Sequence, residues 1–301
     1  MQNFNHLYYF YIVASLKSVT SAAKYLHTSQ PSLSTQIKTL EMSLKKSLFT
    51  KNGKFLELTS EGAKIFEICS RMFAVYDELE RYIKPPVAGR EQINIGVNSE
   101  ISRAFSTNVI GQVLKKYQVK NRPKIKLDSG SHESLIYRLK IRKLDFIITN
   151  SIVHEIDLKT LKSFSMPVVL AGTNDFFSKL KLSKLKKSEV ILKKAAHYLA
   201  LPTEQLKLRA ETNAYLYKNK IKYDVLFESD IMNSIIRSAM DGISFCLVPL
   251  PYIQKEIQQG LLRIIPQSGG LWKHHLLIIG RNDLDNNMFI KKLIHELEAN
   301  I

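Results

Sequence analysis

Residues 19–44, VTSAAKYLHTSQPSLSTQIKTLEMSL, carry the pattern that decides the fold of the N-terminal part of this chain. Pro31 suits the first turn of a helix, where its missing N–H costs nothing, and either Ser29 or Gln30 could cap that helix. Apolar residues three or four positions apart form one group on each side of this turn, namely Val19, Ala22, Ala23 and Leu26, then Leu33, Ile37, Leu40 and Leu44. The stretch therefore predicts two short helices joined by a tight turn.

The second predicted helix has a polar face away from its apolar stripe. That face consists of small hydroxyl side chains and one lysine, at Ser32, Ser34, Thr35, Lys38 and Thr39. Hydroxyl and ammonium groups bond base edges and phosphates, and in a helix-turn-helix the second helix enters the major groove of DNA. The same pattern also fits an ordinary helical hairpin with a solvated face, so the flanking residues have to decide.

A short β-hairpin is predicted over residues 47–58. Asn52-Gly53 is a tight-turn signal, and Lys51 and Lys54 lie beside it at the tip. In a winged helix-turn-helix such a tip lies over the DNA backbone, whereas the alternative is a solvated turn.

Residues 3–41, NFNHLYYFYIVASLKSVTSAAKYLHTSQPSLSTQIKTLE, resemble the N-terminus of the LysR-type transcriptional regulators. The likeness covers the aromatic opening helix, the Ala22-Ala23 pair, the Gln30-Pro31-Ser32 turn and Leu40-Glu41, and it continues through Leu48-Phe49 to LTSEG at 58–62. The opening NHLYYF is similar to the branch that contains the sodium/proton antiporter regulator. The resemblance implies an all-α winged helix-turn-helix domain over residues 1–59, with DNA contacts from Ser29, Gln30, Pro31, Ser32, Ser34, Thr35, Lys38, Thr39, Lys51, Asn52 and Lys54. We expect the aromatic residues of the opening helix to be core rather than platforms for bases.

Residues 60–83 are predicted to form a long helix with an apolar seam. Thr59 suits its N-cap and Glu61 its first turn. The seam alternates spacings of three and four, as in a heptad pattern, at Ile65, Ile68, Met72, Val75, Leu79 and Tyr82. We expect it to join two copies of the chain in a linker and dimerisation helix, while packing against its own domain is the alternative. Pro85, Pro86 and Gly89 end the helix and predict a hinge over 84–92.

From residue 93 onward the pattern changes to alternating strands and helices. The first strands are predicted at 93–97, 124–128 and 144–149, and a second series begins at 166–172 and includes a helix at 204–219. Such alternation predicts parallel sheets covered by helices. The layout resembles the effector domain of the same family, in which two α/β lobes face each other across a cleft as in periplasmic binding proteins. The effector domain would span 93–301, with lobe one at about 93–164 and 267–301 and lobe two at about 165–266.

Open α/β sheets bind ligands at the carboxyl ends of their strands. We therefore expect effector contacts from polar residues near the predicted strand ends, at Asn98, Ser99, Glu100, Ser129, Ser131, Asn150, Ser151, Thr203 and Glu228. Helix N-termini near Asn98, Ser99 and Thr203 favour an anion, whereas Glu100 and Glu228 favour a cation. The likeness to the antiporter regulator leaves sodium open, and the same residues also fit plain caps and turns.

The sequence contains no motif of enzyme chemistry. It has no HExxH, no glycine-rich phosphate loop and no GxSxG elbow. The histidines are scattered, and the neighbouring pair His132-Glu133 would point in different directions. We therefore predict no catalytic residue, no metal site and no cofactor. Cys69 and Cys246 lie in different predicted domains and are expected to be reduced, partly buried thiols.

These patterns predict a sequence-specific DNA-binding transcriptional regulator that is not an enzyme. Its expected partners are double-stranded DNA, a small-molecule or ion effector between the lobes and further copies of the chain in a dimer or tetramer, and the resemblance also allows RNA polymerase. The alternative is an α/β ligand-binding protein or enzyme with an accessory helical domain. The net charge of +17 favours polyanions but equally fits lysine-rich solvated surfaces. No apolar run approaches the roughly 18 residues of a membrane span and no secretory signal is seen, which predicts a cytoplasmic protein without membrane contact.

Overall fold

The computed structural model describes residues 3–52, 55–83, 91–185, 187–265, 269–282 and 287–300. The chain divides into two compact units, the first made of Met1–Gly89 with Lys140–Lys143 and the second of Arg90–Leu139 with Leu144–Ile301. Each unit has its own hydrophobic core. Most of the predicted hinge, residues 84–90, lies outside the described residues.

The first unit is a small helical domain with one β-hairpin. It consists of α1 (Phe4–Leu16), α2 (Val19–Tyr25), α3 (Gln30–Leu44), β1 (Phe49–Asn52), β2 (Phe55–Leu58) and α4 (Ser60–Ile83). The two strands pair antiparallel, with Phe49 opposite Leu58. Ala22 and Ala23 are buried where α2 packs in the core, because short side chains allow helices to approach closely.

The aromatic residues of α1 pack against α4. The rings of Phe4, Tyr8 and Tyr11 lie 5.0, 5.0 and 5.2 Å from the ring of Phe73, and Tyr11 also stacks on Phe66 at 5.8 Å. Such edge-to-face and offset pairs add to the stabilisation from burial. The aromatic run is therefore core packing, as the sequence indicated.

The second unit is built on one nine-stranded mixed sheet flanked by helices. Its elements are β3 (Gln92–Asn98), α5 (Arg103–Lys115), β4 (Lys124–Gly130), α6 (His132–Lys140), β5 (Phe146–Thr149), β6 (Leu158–Gly172), α7 (Asn174–Lys179), α8 (Ser188–Ala195), β7 (Leu199–Pro202), α9 (Lys207–Lys218), β8 (Val225–Ser229), α10 (Met232–Met240), β9 (Phe245–Pro249), α11 (Gln254–Gln258), β10 (Arg263–Ile265), β11 (Trp272–Arg281) and α12 (Met288–Asn300). The strand order is β4-β3-β5-β11-β6-β9-β7-β8, with β10 paired to β6. We define lobe one as β3 to β5 with α5, α6 and α12, and lobe two as β7 to β10 with α7 to α11.

The two lobes are joined by β6 and β11. Strand pairs among β3, β4 and β5 and among β7, β8 and β9 are parallel, as predicted, but β6 and β11 pair antiparallel with each other and with their neighbours β9 and β5. The prediction of parallel sheets was therefore wrong at β6 and β11, because each carries the chain from one lobe to the other, and β10 also pairs antiparallel with β6. β6 has 15 residues, so the lobe boundary predicted at 164–165 falls inside a continuous strand.

The core of the second unit runs through both lobes. One apolar cluster contains Phe146 and Phe289 of lobe one together with Phe177 and Phe245 of lobe two, and all four rings are fully buried. A smaller cluster lies around Leu139 under α6. The helices α7 and α8 and the strand β10 were not predicted, since each is short and lacks a clear period.

Candidate functional sites

A local cap fixes the start of α3. The Ser29 hydroxyl accepts a hydrogen bond from the N–H of Ser32 at 3.3 Å, and Pro31 lies in the first turn. Of the two candidate caps, Ser29 is therefore the N-cap and Gln30 is the first helical residue. Gln30 is exposed there, so its amide is available to a partner.

The two faces of α3 have separate roles. Leu33, Ile37 and Leu40 are buried in the core of the first unit. The residues expected to contact DNA lie on the remaining surface, where Gln30, Pro31, Ser32, Thr35 and Lys38 are exposed and Ser34 and Thr39 are partly buried.

Two threonines on this surface bond their own helix. The hydroxyl of Thr35 donates to the carbonyl of Pro31 at 3.0 Å, and that of Thr39 donates to the carbonyl of Thr35 at 3.0 Å. Each hydroxyl has one proton, so these bonds leave oxygen lone pairs and methyl groups for any partner outside the helix.

The β-hairpin is tied to the helices on both sides. The Glu41 carboxylate accepts the N–H groups of Leu48 and Phe49 at 2.7 and 3.2 Å. The Thr59 hydroxyl donates to the carbonyl of Ser47 at 2.7 Å and accepts from the N–H of Gly62 at 2.9 Å, which makes it the N-terminal cap of α4. A β-carbon on Gly62 would lie 2.0 Å from the carbonyl oxygen of Leu48, so only glycine fits.

The predicted tip of the wing lies largely outside the described residues. Lys51 and Asn52 belong to β1, but the positions of their side chains are not among those described, and neither is Lys54. Their contacts with DNA stay predictions.

The apolar seam of α4 divides into two parts. Ile65 and Met72 are partly buried and pack against the core of their own unit, as the alternative reading of the seam expected. Ile68, Val75 and Leu79 are 56%, 49% and 51% exposed, and Ile83, which was not predicted, continues the same stripe. The side chain of Tyr82 is outside the described residues.

In the second unit, polar residues from both lobes meet at the ends of β3 and β5 and the start of α9. Asn98 is buried and donates to the side-chain oxygens of Thr149 and Asn150, while Asn150 donates to the Glu100 carboxylate at 2.8 Å. The same carboxylate oxygen accepts the N–H of Lys207 at 3.1 Å, and the Lys207 ammonium donates to the carbonyl of Asn150. Glu100 and Asn150 of lobe one are thereby bonded to Lys207 of lobe two.

A second contact between the lobes lies beside this cluster. The side-chain oxygen of Asn233 in lobe two accepts from the Ser102 hydroxyl and from the N–H of Arg103, both at 3.2 Å. The ring of Tyr252 in lobe two lies 5.0 Å from that of Phe105 in lobe one.

Comparison with known proteins assigns both units. Residues 4–63 match the family described as bacterial regulatory helix-turn-helix protein, lysR family, and residues 88–300 match the family described as LysR substrate binding domain. The chain belongs to the LysR family. It carries a helix-turn-helix domain and a substrate-binding domain of that family.

Relatives and solved structures agree with this assignment. The transcriptional activator protein NhaR of Escherichia coli is 30% identical over 149 residues, which are 49% of this chain and 48% of NhaR, so the match spans about half the length of that relative. A full-length OxyR variant from Pseudomonas aeruginosa has the same fold, with a TM-score of 0.70 at 18% identity over 100% of this chain and 96% of that one. CbnR, in a complex with its target DNA, matches with a TM-score of 0.66 at 15% identity over 100% of both chains.

Within this LysR fold, four of the predicted effector residues share the cluster between the lobes. Asn98, Glu100 and Asn150 form its lobe-one side, and Ser151 joins through hydrogen bonds to Thr149 and Asn150. Lys207 was missed, because a predicted helix start at Glu204 placed Lys207 one turn inside the helix rather than at its first residue.

The other predicted effector residues have separate surroundings. Ser99 is exposed and its N–H bonds the carbonyl of Gly130, Ser131 caps α6 by accepting from Ser134, and Ser129 is exposed on the edge strand β4. Glu228 accepts from the guanidinium of Arg209 at 2.7 Å, and the same guanidinium donates to the carbonyl of Pro202. Thr203 follows Pro202 in this second group, whose central residue Arg209 is buried and was not predicted.

A buried histidine pairs with a carboxylate on α9. His274 on β11 lies 2.7 Å from the Glu211 carboxylate, which also accepts from the indole N–H of Trp272 at 3.3 Å. Burial alone would raise the pKa of Glu211, but the hydrogen bond and charge of His274 lower it below the ordinary value. The contact ties the connecting strand β11 to the helix that carries Lys207.

The described residues show neither a reactive thiol nor a group of side chains that could hold a metal ion. Burial raises the pKa of the Cys69 thiol to about 11 and that of the Cys246 thiol to about 12, so both are protonated at neutral pH. Among the described residues no group of three or more His, Cys, Asp or Glu side chains could hold a metal ion. None of the described helices is long and apolar enough to cross a membrane.

Proposed function

We propose that this regulator reads a specific DNA site with the exposed residues of α3 and responds to an effector bound between the two lobes of its second unit. The observation that carries the DNA part is the exposed row Gln30, Ser32, Thr35 and Lys38 on a helix whose opposite face is locked in the core. The fold shared with CbnR, solved with its target DNA, supports placing α3 in the major groove.

Base reading and phosphate binding fall to different residues in this proposal. Gln30 can pair with adenine through both ends of its amide, so it reads sequence. Lys38 supplies charge to phosphates. Gln30→Ala should cost about 1–3 kcal/mol on the specific site and little on random DNA. Lys38→Ala should weaken binding to every duplex and flatten the salt dependence by about one unit.

Binding isotherms at several salt concentrations test this division. The specific duplex is the one selected from a random-sequence pool by the full-length protein, and a scrambled duplex is the comparison. Lys218→Ala, at an exposed lysine of α9, is the matched control and should change neither curve. Indistinguishable profiles for Gln30→Ala and Lys38→Ala would refute the division of roles, and full binding by both would refute the placement of α3.

Thr35 sets a further preference. Many members of the family have arginine at this position, and threonine cannot make its bidentate contact to guanine. Because the Thr35 hydroxyl donates its one proton to the carbonyl of Pro31, its methyl group and oxygen lone pairs remain for a partner. We propose contact with a thymine methyl and a preference against guanine there. Thr35→Arg should raise affinity for all duplexes and shift the selected sequence towards guanine.

A second copy of the chain is the proposed partner of the exposed stripe on α4. Ile68, Val75, Leu79 and Ile83 recur at heptad-related spacings and are all about half exposed. The same stripe on two copies forms a self-complementary contact, as a two-fold interface requires. It also supplies the paired recognition helices that a two-fold DNA site needs.

The proposed effector site is the cluster of Asn98, Glu100 and Asn150 with Lys207. These residues lie at the carboxyl ends of β3 and β5 and at a helix N-terminus, where open α/β sheets bind ligands. A thermal-shift screen of the full-length protein against organic anions, amino acids and monovalent salts tests for an effector. A compound that stabilises the second unit and changes DNA affinity would support the assignment. We also place the protein in the cytoplasm, where the DNA target of a regulator lies.

A further inference from the structure

We propose that Glu100 is a built-in competitor of the effector, so that the site takes a small organic carboxylate which displaces the Glu100 side chain from the start of α9. The proposal rests on the effector site assigned above. It adds the chemical class of the ligand and a residue that sets its apparent affinity.

The start of α9 depends on a carboxylate from the other lobe. Its N-cap residue, Leu206, has no side chain that can accept a hydrogen bond, and the first helical N–H, that of Lys207, donates to Glu100 at 3.1 Å. Helix N-termini carry free N–H groups and a partial positive charge, both of which favour an anion. The chain therefore supplies its own anion where a ligand carboxylate would bind.

The groups around that carboxylate are hydrogen-bond donors. The Asn150 amide and the Lys207 N–H converge on the same Glu100 oxygen from opposite lobes, at 2.8 and 3.1 Å. The Lys207 ammonium lies close by, on the carbonyl of Asn150. If Glu100 moved away, these donors would need another acceptor with negative charge.

Tyr252 gives independent evidence for a ligand. Its side chain is only 4% exposed, yet its hydroxyl has no hydrogen-bond partner among the described residues. Its ring lies 5.0 Å from that of Phe105 in lobe one, beside the cluster. Besides burial, the charges of Glu100 and Glu211 raise the pKa of this phenol. A buried hydroxyl without a partner is unfavourable, so an acceptor on a bound molecule would satisfy it.

A cationic ligand has less support. The two carboxylates that favoured a cation in the sequence are both engaged, Glu100 by the donors named above and Glu228 by the guanidinium of Arg209. A ligand carboxylate could take the place of the Glu100 carboxylate and present the same charge to those donors. An added cation would instead meet the Lys207 ammonium and the positive end of α9.

An internal carboxylate lowers the apparent affinity of an external one. Because Glu100 is tethered, it is present at the site at a high effective concentration, and a free ligand has to compete with it. Glu100 would thereby set the concentration at which the regulator responds.

Calorimetric titration of the full-length protein with succinate and with acetate tests the proposal. Glu100→Gln keeps the size of the side chain but removes its charge, and it should tighten binding of at least one of the two probes by about tenfold or more, as expected for releasing one charge-assisted hydrogen bond. Lys207→Met should abolish this binding in both backgrounds. Glu189→Gln makes the same chemical change at an exposed carboxylate paired with Lys193 on α8, and it should leave the affinity unchanged.

Unchanged or weaker carboxylate binding by Glu100→Gln would overturn the competitor role. If neither probe bound either protein, the carboxylate class itself would be refuted. A hit from the monovalent salts of the thermal-shift screen would in that case leave the proposed effector site standing. If Lys207→Met bound both probes as well as the unaltered protein did, the effector site and this inference would fail together.

Discussion

The starts of two helices, α3 in the first unit and α9 in the second, are capped in opposite ways. Ser29 caps α3 from three residues before the N–H that it binds. Glu100 caps α9 from 107 residues away and from the other lobe. The first cap persists wherever the local backbone is helical. The second exists only while the two lobes keep their present relation, so a ligand or a lobe movement can remove it.

This difference indicates that α3 has a fixed position in the first unit, whereas the start of α9 in the second unit can change its contacts. In the first unit, α3 is oriented by a local cap, by buried apolar side chains and by the bonds from the Glu41 carboxylate to the hairpin. Such fixed contacts suit a surface proposed to match DNA in one geometry. Among the described residues of the second unit, polar bonds between the lobes are made by Glu100, Lys207 and Asn233. Substitutions in the two units should therefore have different kinds of effect.

The largest loss of stability is expected from a substitution at Gly62, because the backbone of Leu48 leaves no space for a side chain there. A β-carbon there would lie 2.0 Å from the carbonyl oxygen of Leu48, so Gly62→Ala should destabilise the first unit by about 4 kcal/mol and abolish DNA binding. Gly111→Ala in α5 is the matched control, since no atom lies within 4 Å of the added carbon, and it should stabilise by about 0.5–1 kcal/mol. Thermal denaturation that showed equal effects of the two changes would contradict the close approach at Gly62.

The next largest effect is expected at the exposed stripe of α4, whose apolar side chains are about half exposed. Val75→Glu together with Leu79→Glu should weaken self-association by about 3 kcal/mol, since each apolar side chain contributes by burial between copies. Light scattering should then show a lower mass, with weaker DNA binding. Ala63→Glu, at an exposed position of the same helix outside the stripe, should leave the mass unchanged. An unaltered mass for the double variant would remove the stripe from the interface.

A smaller effect is expected from the local cap itself. Ser29→Ala removes the acceptor for the Ser32 N–H and should lower the free energy of unfolding of the first unit by about 1 kcal/mol. Ser21→Ala, at an exposed position inside α2, should change it by no more than a few tenths of a kcal/mol. Chemical denaturation of both variants measures this. A cap variant as stable as the control would mean that α3 is held by its buried face alone.

The smallest effect is expected from thiol reagents, which should not modify the buried cysteine of either unit in the folded protein. Burial raises the pKa of Cys69 to about 11 and of Cys246 to about 12, so neither forms the reactive thiolate at neutral pH. The native protein should resist iodoacetamide and peroxide, whereas the chain unfolded in urea should react at both thiols, as mass spectrometry would show. Rapid modification of the folded protein would instead reveal an opening of one core.

The sequence predicted the first unit well because its contacts are local or periodic. The spacing of Leu33, Ile37 and Leu40 is enough to orient α3, and Thr59 is adjacent to the helix that it caps. The seam of α4 was less certain, because Ile65 and Met72 fit the heptad pattern but pack in their own unit. A heptad alone does not say which neighbour an apolar residue meets.

The site in the second unit was predicted only in part. Asn98, Glu100 and Asn150 could be found because neighbouring parallel strands bring their carboxyl ends together. Lys207 and Tyr252 could not, because their positions depend on how β6 and β11 connect the lobes. An alternating pattern of strands and helices does not show that those two long strands pair antiparallel, so the contacts that depend on this pairing could not be predicted.

The indole of Trp272 also gives this protein an optical property. It is the one tryptophan of the chain, stacked on Tyr215 at 5.0 Å and hydrogen-bonded to Glu211, and both of these residues lie on α9. Tryptophan emission is sensitive to the polarity and the charges around the ring. Any displacement of α9 relative to β11 would change the intensity or the wavelength of that emission, so the unlabelled protein carries its own fluorescent reporter of the state of its lobes.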